Sequence, residues 1–223
     1  MTNMPDVPAA SNPPEAAPAP RRRRSAGRVI RELTTITAGV LIALSLEGLV
    51  QWGRDVALVR EARGTIRREL ADNRREVQSV LSSVDSRRKN LDMALRFANE
   101  LLSKRETGIN EVQLGFNVAD LSTASWDTAG STGALGHMDY GEVQRYADLY
   151  SVQALYSDRQ KGTMERLAAA ATMFSDRRDP KDASPEDLQL FRRQVLAMHS
   201  DLMLEEQLGT RLIEMYDRVL AAR

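Results

Sequence analysis

Apolar residues recur at helical spacing through the body of the chain. Ile66, Leu70, Asn73, Val77, Val80, Val84, Arg87, Leu91, Ala94, Ala98 and Leu101 follow one another at alternating intervals of four and three. That rhythm is the seam of a helix lying lengthwise on its neighbours. Asn73 and Arg87 occupy two seam positions, which excludes a fully dry coiled coil. Packing inside one chain suffices to explain the stripe, and dimerisation would use the same pattern. Gly53 and Gly64 are the expected bends. A second stripe runs through Leu188, Phe191, Val195, Met198, Leu202, Leu212, Tyr216 and Val219, with Glu205 and Gly209 interrupting it. Its start reads from Ser184-Pro185-Glu186-Asp187: an N-cap, a proline in the first turn, then acids that suit the positive helix end.

Between them, Val143, Tyr146, Ala147, Tyr150, Ala154, Leu167, Ala171 and Phe174 outline a third helix, ending before Asp179-Pro180 and kinked at Gly162. Asp139 is placed to cap it. Glu142 sits at capping-box spacing, and Met138 and Val143 hold the flanking apolar positions. Residues 105–138 carry glycines at 108, 115, 130, 133 and 136 and read as irregular, with Trp126 and Leu135 packed on the helices. The pattern predicts an all-α chain: helices over 55–104, 139–175 and 184–221 in an antiparallel bundle occupying 54–223.

Ahead of this body lies a different pattern. Residues 33–52 contain a single ionisable group, Glu47. Twenty helical residues span about 30 Å, the thickness of a hydrocarbon core. We read 29–53 as a transmembrane helix anchored in lipid by Leu33, Ile36, Val40, Leu41, Ile42, Leu44 and Leu46. Trp52 and Arg54 stand where an interfacial aromatic and a snorkelling cation belong. A buried helix of a soluble domain and a signal sequence pass the same test; the long preceding region and the lack of a cleavage pattern speak against the signal. Glu47 admits two readings, an interfacial glutamate or an intramembrane polar contact between helices with a proton-linked role. No proline lies between Pro20 and Pro180, so this helix is expected to run into the next without a break.

Residues 1–28 read as a disordered tail with an arginine cluster: six of the eight prolines fall in 1–20, followed by Arg21, Arg22, Arg23 and Arg24. Six arginines precede the apolar run and five follow it by Arg68, so the positive-inside rule discriminates weakly by count. The denser upstream cluster favours a cytoplasmic N-terminus and a periplasmic helical domain.

Composition narrows the chemistry. Lys plus Arg and Asp plus Glu each total 31, so no global basicity is present to hold nucleic acid. Cysteine is absent, which removes disulfides, thiolate metal sites and thiol nucleophiles. His137, near Asp139 and Glu142, is a weak ligand signal, and His199 reads as a boundary residue. Glu205-Glu206 reads as an ordinary solvated pair. Tyr146, Tyr150 and Tyr156 read as packing residues. Gly130-x-x-Gly133-x-x-Gly136 has neither the strand before it nor the Gly-Lys-Ser/Thr after it that a phosphate loop needs. No set of residues assembles a nucleophile, a base and an orienting group.

The segment Gly39-Val-Leu-Ile-Ala-Leu44, with Glu47, Trp52 and then Glu69 and Asn73 on a charged helix, resembles a family of uncharacterised bacterial single-pass membrane proteins. These begin with a Gly-x-Leu-Ile-Ala-Leu membrane segment and continue into a helical domain. Ala124-Ser-Trp-Asp-Thr-Ala129 and Gly133-Ala-Leu135 are similar to a middle segment of such proteins. The resemblance covers residues 29–155; the tryptophan falls later than in many relatives and the proline-rich tail is extra. It implies an envelope membrane protein and carries over no catalytic residue, metal or cofactor. The expectation is therefore a non-enzymatic single-pass inner-membrane protein whose helical domain packs against a second copy or another envelope protein. An extracytoplasmic small-ligand sensor and a soluble helical enzyme with a buried apolar helix are the competing classes.

Overall fold

A computed structural model describes residues 26–105, 107–109, 112–172 and 182–222. The tail, Arg21 to Arg24, Phe174 and Asp179-Pro180 lie outside the described residues. Every regular element among those described is helical: α1 (Ala26–Ser82), α2 (Val84–Leu102), α3 (Ala124–Ser131), a 3₁₀ turn (Ala134–His137), α4 (Tyr140–Thr172) and α5 (Pro185–Ala221). The chain divides into two compact units, Met1–Gln51 and Trp52–Arg223.

In the first unit the described backbone is the opening part of α1. Its hydroxyls bond back into the helix: Thr34, Thr35, Thr37 and Ser45 each donate to the carbonyl four residues earlier, at 2.7–2.9 Å. Those side chains therefore need no partner from outside the helix.

In the second unit the interval-of-four-and-three stripe lies inward as expected. Ile66, Leu70, Val77, Val80, Val84, Leu91, Ala94 and Ala98 are buried, and so are Asn73 and Arg87. The seam packs within one chain. Its partners ascend α4 and descend α5, so α4 runs parallel to the seam and only α5 antiparallel, which corrects the expected antiparallel bundle. Arg63 meets Glu142, Glu69 meets Tyr150 and Asn73 meets Gln153. Arg74 meets Asp217, Arg87 meets Glu205 and Arg192 of α5 meets Asn99. Tyr156, Tyr216, Ile66, Leu70, Leu149, Leu202 and Leu212 are the largest fully buried side chains. Each contributes roughly 1.5–3 kcal/mol by leaving water.

Several expectations need correction. Gly53 and Gly64 bend nothing into separate elements; α1 passes through both. The interruption falls at Ser83, and residues 55–104 are not one helix. There Ser82 and Ser83 Oγ donate to the carbonyls of Ser79 and Val80 at 2.7 Å, and Ser83 N also bonds Val80 O. Hydroxyls that compete for carbonyls three residues back tighten the turn locally. Likewise α4 runs unbroken through Gly162. Ala154 and Ala171 are exposed rather than on its inner face. That face is Tyr146, Leu149, Gln153, Tyr156, Gln160, Thr163 and Ala170, with half-buried Leu167 completing the seam. Following apolar residues alone misplaced the stripe, because three of its members are polar.

The helix starts follow their caps. Ser184 Oγ accepts from Asp187 N at 3.1 Å ahead of Pro185, and donates to the Asp187 carboxylate at 2.8 Å. Asp139 Oδ1 accepts from Glu142 N at 3.0 Å. Glu142 does not close the capping box; its carboxylate is held by Arg63 at 2.6–3.1 Å and accepts from Tyr146 Oη at 3.3 Å. A bidentate guanidinium outcompetes a single backbone N–H. The last turn of α5 is closed by Arg67, which donates to the carbonyls of Leu220 and Ala222.

Candidate functional site

Three places hold groups beyond ordinary packing. The first is the apolar segment. Leu33, Ile36, Val40, Leu41, Ile42, Leu44 and Leu46 expose 53–64% of their surface and Trp52 exposes 67%. Within the helical run Gly27–Leu102, which the turn at Ser83 interrupts, an 18-residue window near its start has mean hydropathy 1.8 and is 0% buried. A run of that length left bare is far larger than the apolar patches a monomer carries in water. Glu47 lies in this run, exposed like its neighbours.

The second is a junction between α1 and the segment before α3. Glu69 is 8% exposed, and its carboxylate accepts three bonds: from Tyr150 Oη at 2.6 Å, Ser122 Oγ at 2.8 Å and Ser125 N at 2.7 Å. The last of these is an orphan donor of the first turn of α3, so Glu69 caps that helix from another element. One turn on, Asn73 accepts from Ser122 N at 2.9 Å and donates to Ser122 O at 2.8 Å. Its Nδ2 also reaches Gln153 Oε1 at 3.1 Å, which accepts from Tyr216 Oη at 2.8 Å. The anchored α3 lays Trp126 on Tyr150, stacked with ring centroids 5.2 Å apart, and against Tyr146 at 6.2 Å. Burial first, and then the Glu69 hydrogen bond, holds the Tyr150 phenol well above its ordinary range. Burial likewise raises Tyr146 and Tyr216. Glu69, Asn73 and the first turn of α3 thus meet in one place.

The third is a buried ion pair. Arg87 Nη2 and Glu205 Oε2 are 2.8 Å apart, with side-chain exposures of 8% and 1%. Gln160 Nε2 donates to the other Glu205 oxygen at 3.0 Å. Tyr156 is raised by burial and then by the charge of Glu205. Phe116 lies over the guanidinium at 4.5 Å. The reading of Glu205 as solvated is wrong; only Glu206, paired with Arg88 at 2.7 Å, lies at the surface. Beside the pair, a cavity of about 20 Å³ is lined by Arg87, Leu91, Phe116, Thr163, Leu167 and Met198 among others. Arg87 Nη1 has no hydrogen-bond partner among the described residues.

Each oxygen of Glu69 and of Glu205 has at least one donor, and the hydroxyls around Glu69 give their protons to it. No group of three His, Asp or Glu side chains among the described residues is placed to hold a metal ion. His137, with half its side chain exposed, faces Asp55 at 3.8 Å, and His199 faces Asp92 at 3.5 Å. No protein-family model matches the chain, and no curated protein or solved structure is similar to it.

Proposed function

We propose that the chain is a non-enzymatic, single-pass bacterial inner-membrane protein. Its N-terminus is cytoplasmic, and a helical bundle, with α4 parallel and α5 antiparallel to the α1–α2 seam, stands in the periplasm as a packing module for a second copy or another envelope protein. The observation that carries this reading is the bare apolar face from Leu33 to Trp52, whose hydroxyls are satisfied inside their own helix. In water that surface is costly; in hydrocarbon it is the required one. The resemblance of the Gly39 to Leu44 segment to single-pass membrane proteins points the same way, and the net-neutral charge argues against nucleic-acid binding through global basicity.

The fitting experiment places topology reporters at residues 10 and 223 of the intact chain, combined with carbonate extraction. Retention in the pellet with opposite-sided reporters is expected. Full release by carbonate refutes the span, and same-sided reporters refute the topology.

A second reading, a small-ligand binding bundle, draws support from the cavity beside Arg87. At about 20 Å³ that cavity is of one-water size, well below the 300–1,000 Å³ of typical ligand pockets, while open clefts of about 370 Å³ beside Arg63, Arg67 and Arg145 and about 450 Å³ beside Glu69 and Ser122 reach that size.

A further inference from the structure

The end of the second unit that begins at Trp52 carries an exposed loop whose chemistry suits a bilayer surface. Trp52 follows the apolar segment directly in sequence. Asp55 stands three residues further along α1, about 4.5 Å by helix rise. The Asp55 carboxylate faces His137 Nδ1 at 3.8 Å, so the 3₁₀ turn lies within about one helical turn of Trp52 along α1. The headgroup layer beyond the hydrocarbon is roughly 5–8 Å deep, comparable to that rise.

The loop is built to present its edge. Gly133 takes a positive φ of 79°, and Gly136 N bonds back to Gly133 O at 3.1 Å. Ala134 is buried and Leu135 packs on the core. Gly136 and His137 therefore face outward, and Tyr140 beyond them is 75% exposed. On α1, Arg54 and Arg60 are exposed and make no ion pair among the described residues. The acids nearby are mostly engaged: Asp139 caps α4, Glu142 is held by Arg63 and Asp55 faces His137. Glu61 is the exposed exception on α1. Exposed aromatics at two points, free guanidinium groups and an imidazole form the pattern that interfacial phosphates and glycerol backbones receive.

We propose that the loop over residues 133–140, with Arg54, is a second membrane contact that rests on the phospholipid headgroups of the bilayer. This rests on the spanning reading of 29–53, and the test separates the two. The absence of cysteine allows single labels in the intact chain. Spin labels go at Leu41→Cys, Gly136→Cys and Gln189→Cys, the last on the exposed start of α5. A Cβ at Gly136 meets nothing within 4 Å, so that substitution disturbs no packing. The protein is placed in nanodiscs of three parts phosphatidylcholine to one part phosphatidylglycerol. Accessibility to oxygen is then compared with accessibility to a water-soluble nickel reagent.

Leu41 is expected deep in lipid, Gln189 aqueous, and Gly136 intermediate, with an oxygen-to-nickel ratio severalfold above that of Gln189. Adding His137→Glu lowers the Gly136 ratio severalfold while the helical circular dichroism stays unchanged. A deep Leu41 label with Gly136 as aqueous as Gln189 overturns the loop contact and leaves the span standing. An aqueous Leu41 label overturns the span and the contact that depends on it.

Discussion

Removing the acid of the buried pair tests how the helical unit holds its register. Glu205→Ala leaves Arg87, whose side chain is 8% exposed, without its counter-charge, and deprives Gln160 Nε2 of an acceptor. With charge centres about 4 Å apart and an effective dielectric near 20, the gross attraction is roughly 4 kcal/mol. Most of that offsets the desolvation of two ions, so the intact pair contributes little net stability. The orphaned guanidinium is the larger quantity: breaking one partner of such a pair costs about 3–5 kcal/mol. For a domain of this size each kcal/mol shifts the midpoint by about 2–4 °C, so Glu205→Ala should lower Tm by roughly 6–20 °C. The double variant Arg87→Leu/Glu205→Leu leaves no orphaned charge, only Gln160 Nε2 without its Glu205 acceptor, and should recover most of the loss. Thermal unfolding of the intact protein in detergent, followed by circular dichroism, reads both. A Glu205→Ala shift of under about one degree, or a double variant as damaged as the sum of its singles, would refute the reasoning.

Glycines on the two facing helices should respond with opposite sign. Gly162 has open space where a Cβ would go, so Gly162→Ala should stabilise α4 by about 1 kcal/mol. A Cβ at Gly209 would lie 3.0 Å from Leu81 Cδ2 and 3.2 Å from Tyr156 Cε2, so Gly209→Ala should lose stability by roughly 1–2 kcal/mol in the same melt. Glu69→Ala removes the acceptor of three bonds and should release α3. In a Trp52→Phe background, Trp126 emission should shift to the red, and an unmoved spectrum would show α3 docked without Glu69. The raised phenols predict an alkaline limit. Tyr146, Tyr150, Tyr156 and Tyr216 stay protonated in the folded state above their ordinary value of 10.0. The unfolded chain ionises first, so stability is intact below about pH 10 and falls as pH rises beyond it. Absorbance at the phenolate band should rise for these residues only together with loss of helix; ionisation ahead of unfolding would contradict their burial.

The amino-acid pattern was enough for the elements whose cause is local. The cap at Ser184, the cap at Asp139, the apolar stretch from Leu33 to Trp52 and the inner face of α1 and α2 all follow from spacing and side-chain chemistry. Each involves residues within a few turns of one another. Counting sevens regardless of residue type would also have found Gln153, Gln160 and Glu205, since each holds a seam position. What spacing along one helix cannot supply is a partner. Arg87 needs Glu205 at 118 residues' distance, and Glu69 needs Tyr150 at 81. A buried charge is tolerable only where another helix delivers its complement. Tertiary packing alone therefore turned an apparent surface acid into the centre of the core. It also drew Glu142 from its capping box to Arg63 and gave α3 its cap from α1. Backbone periodicity decides where helices form; only the meeting of three seams decides which polar groups can lie inside them.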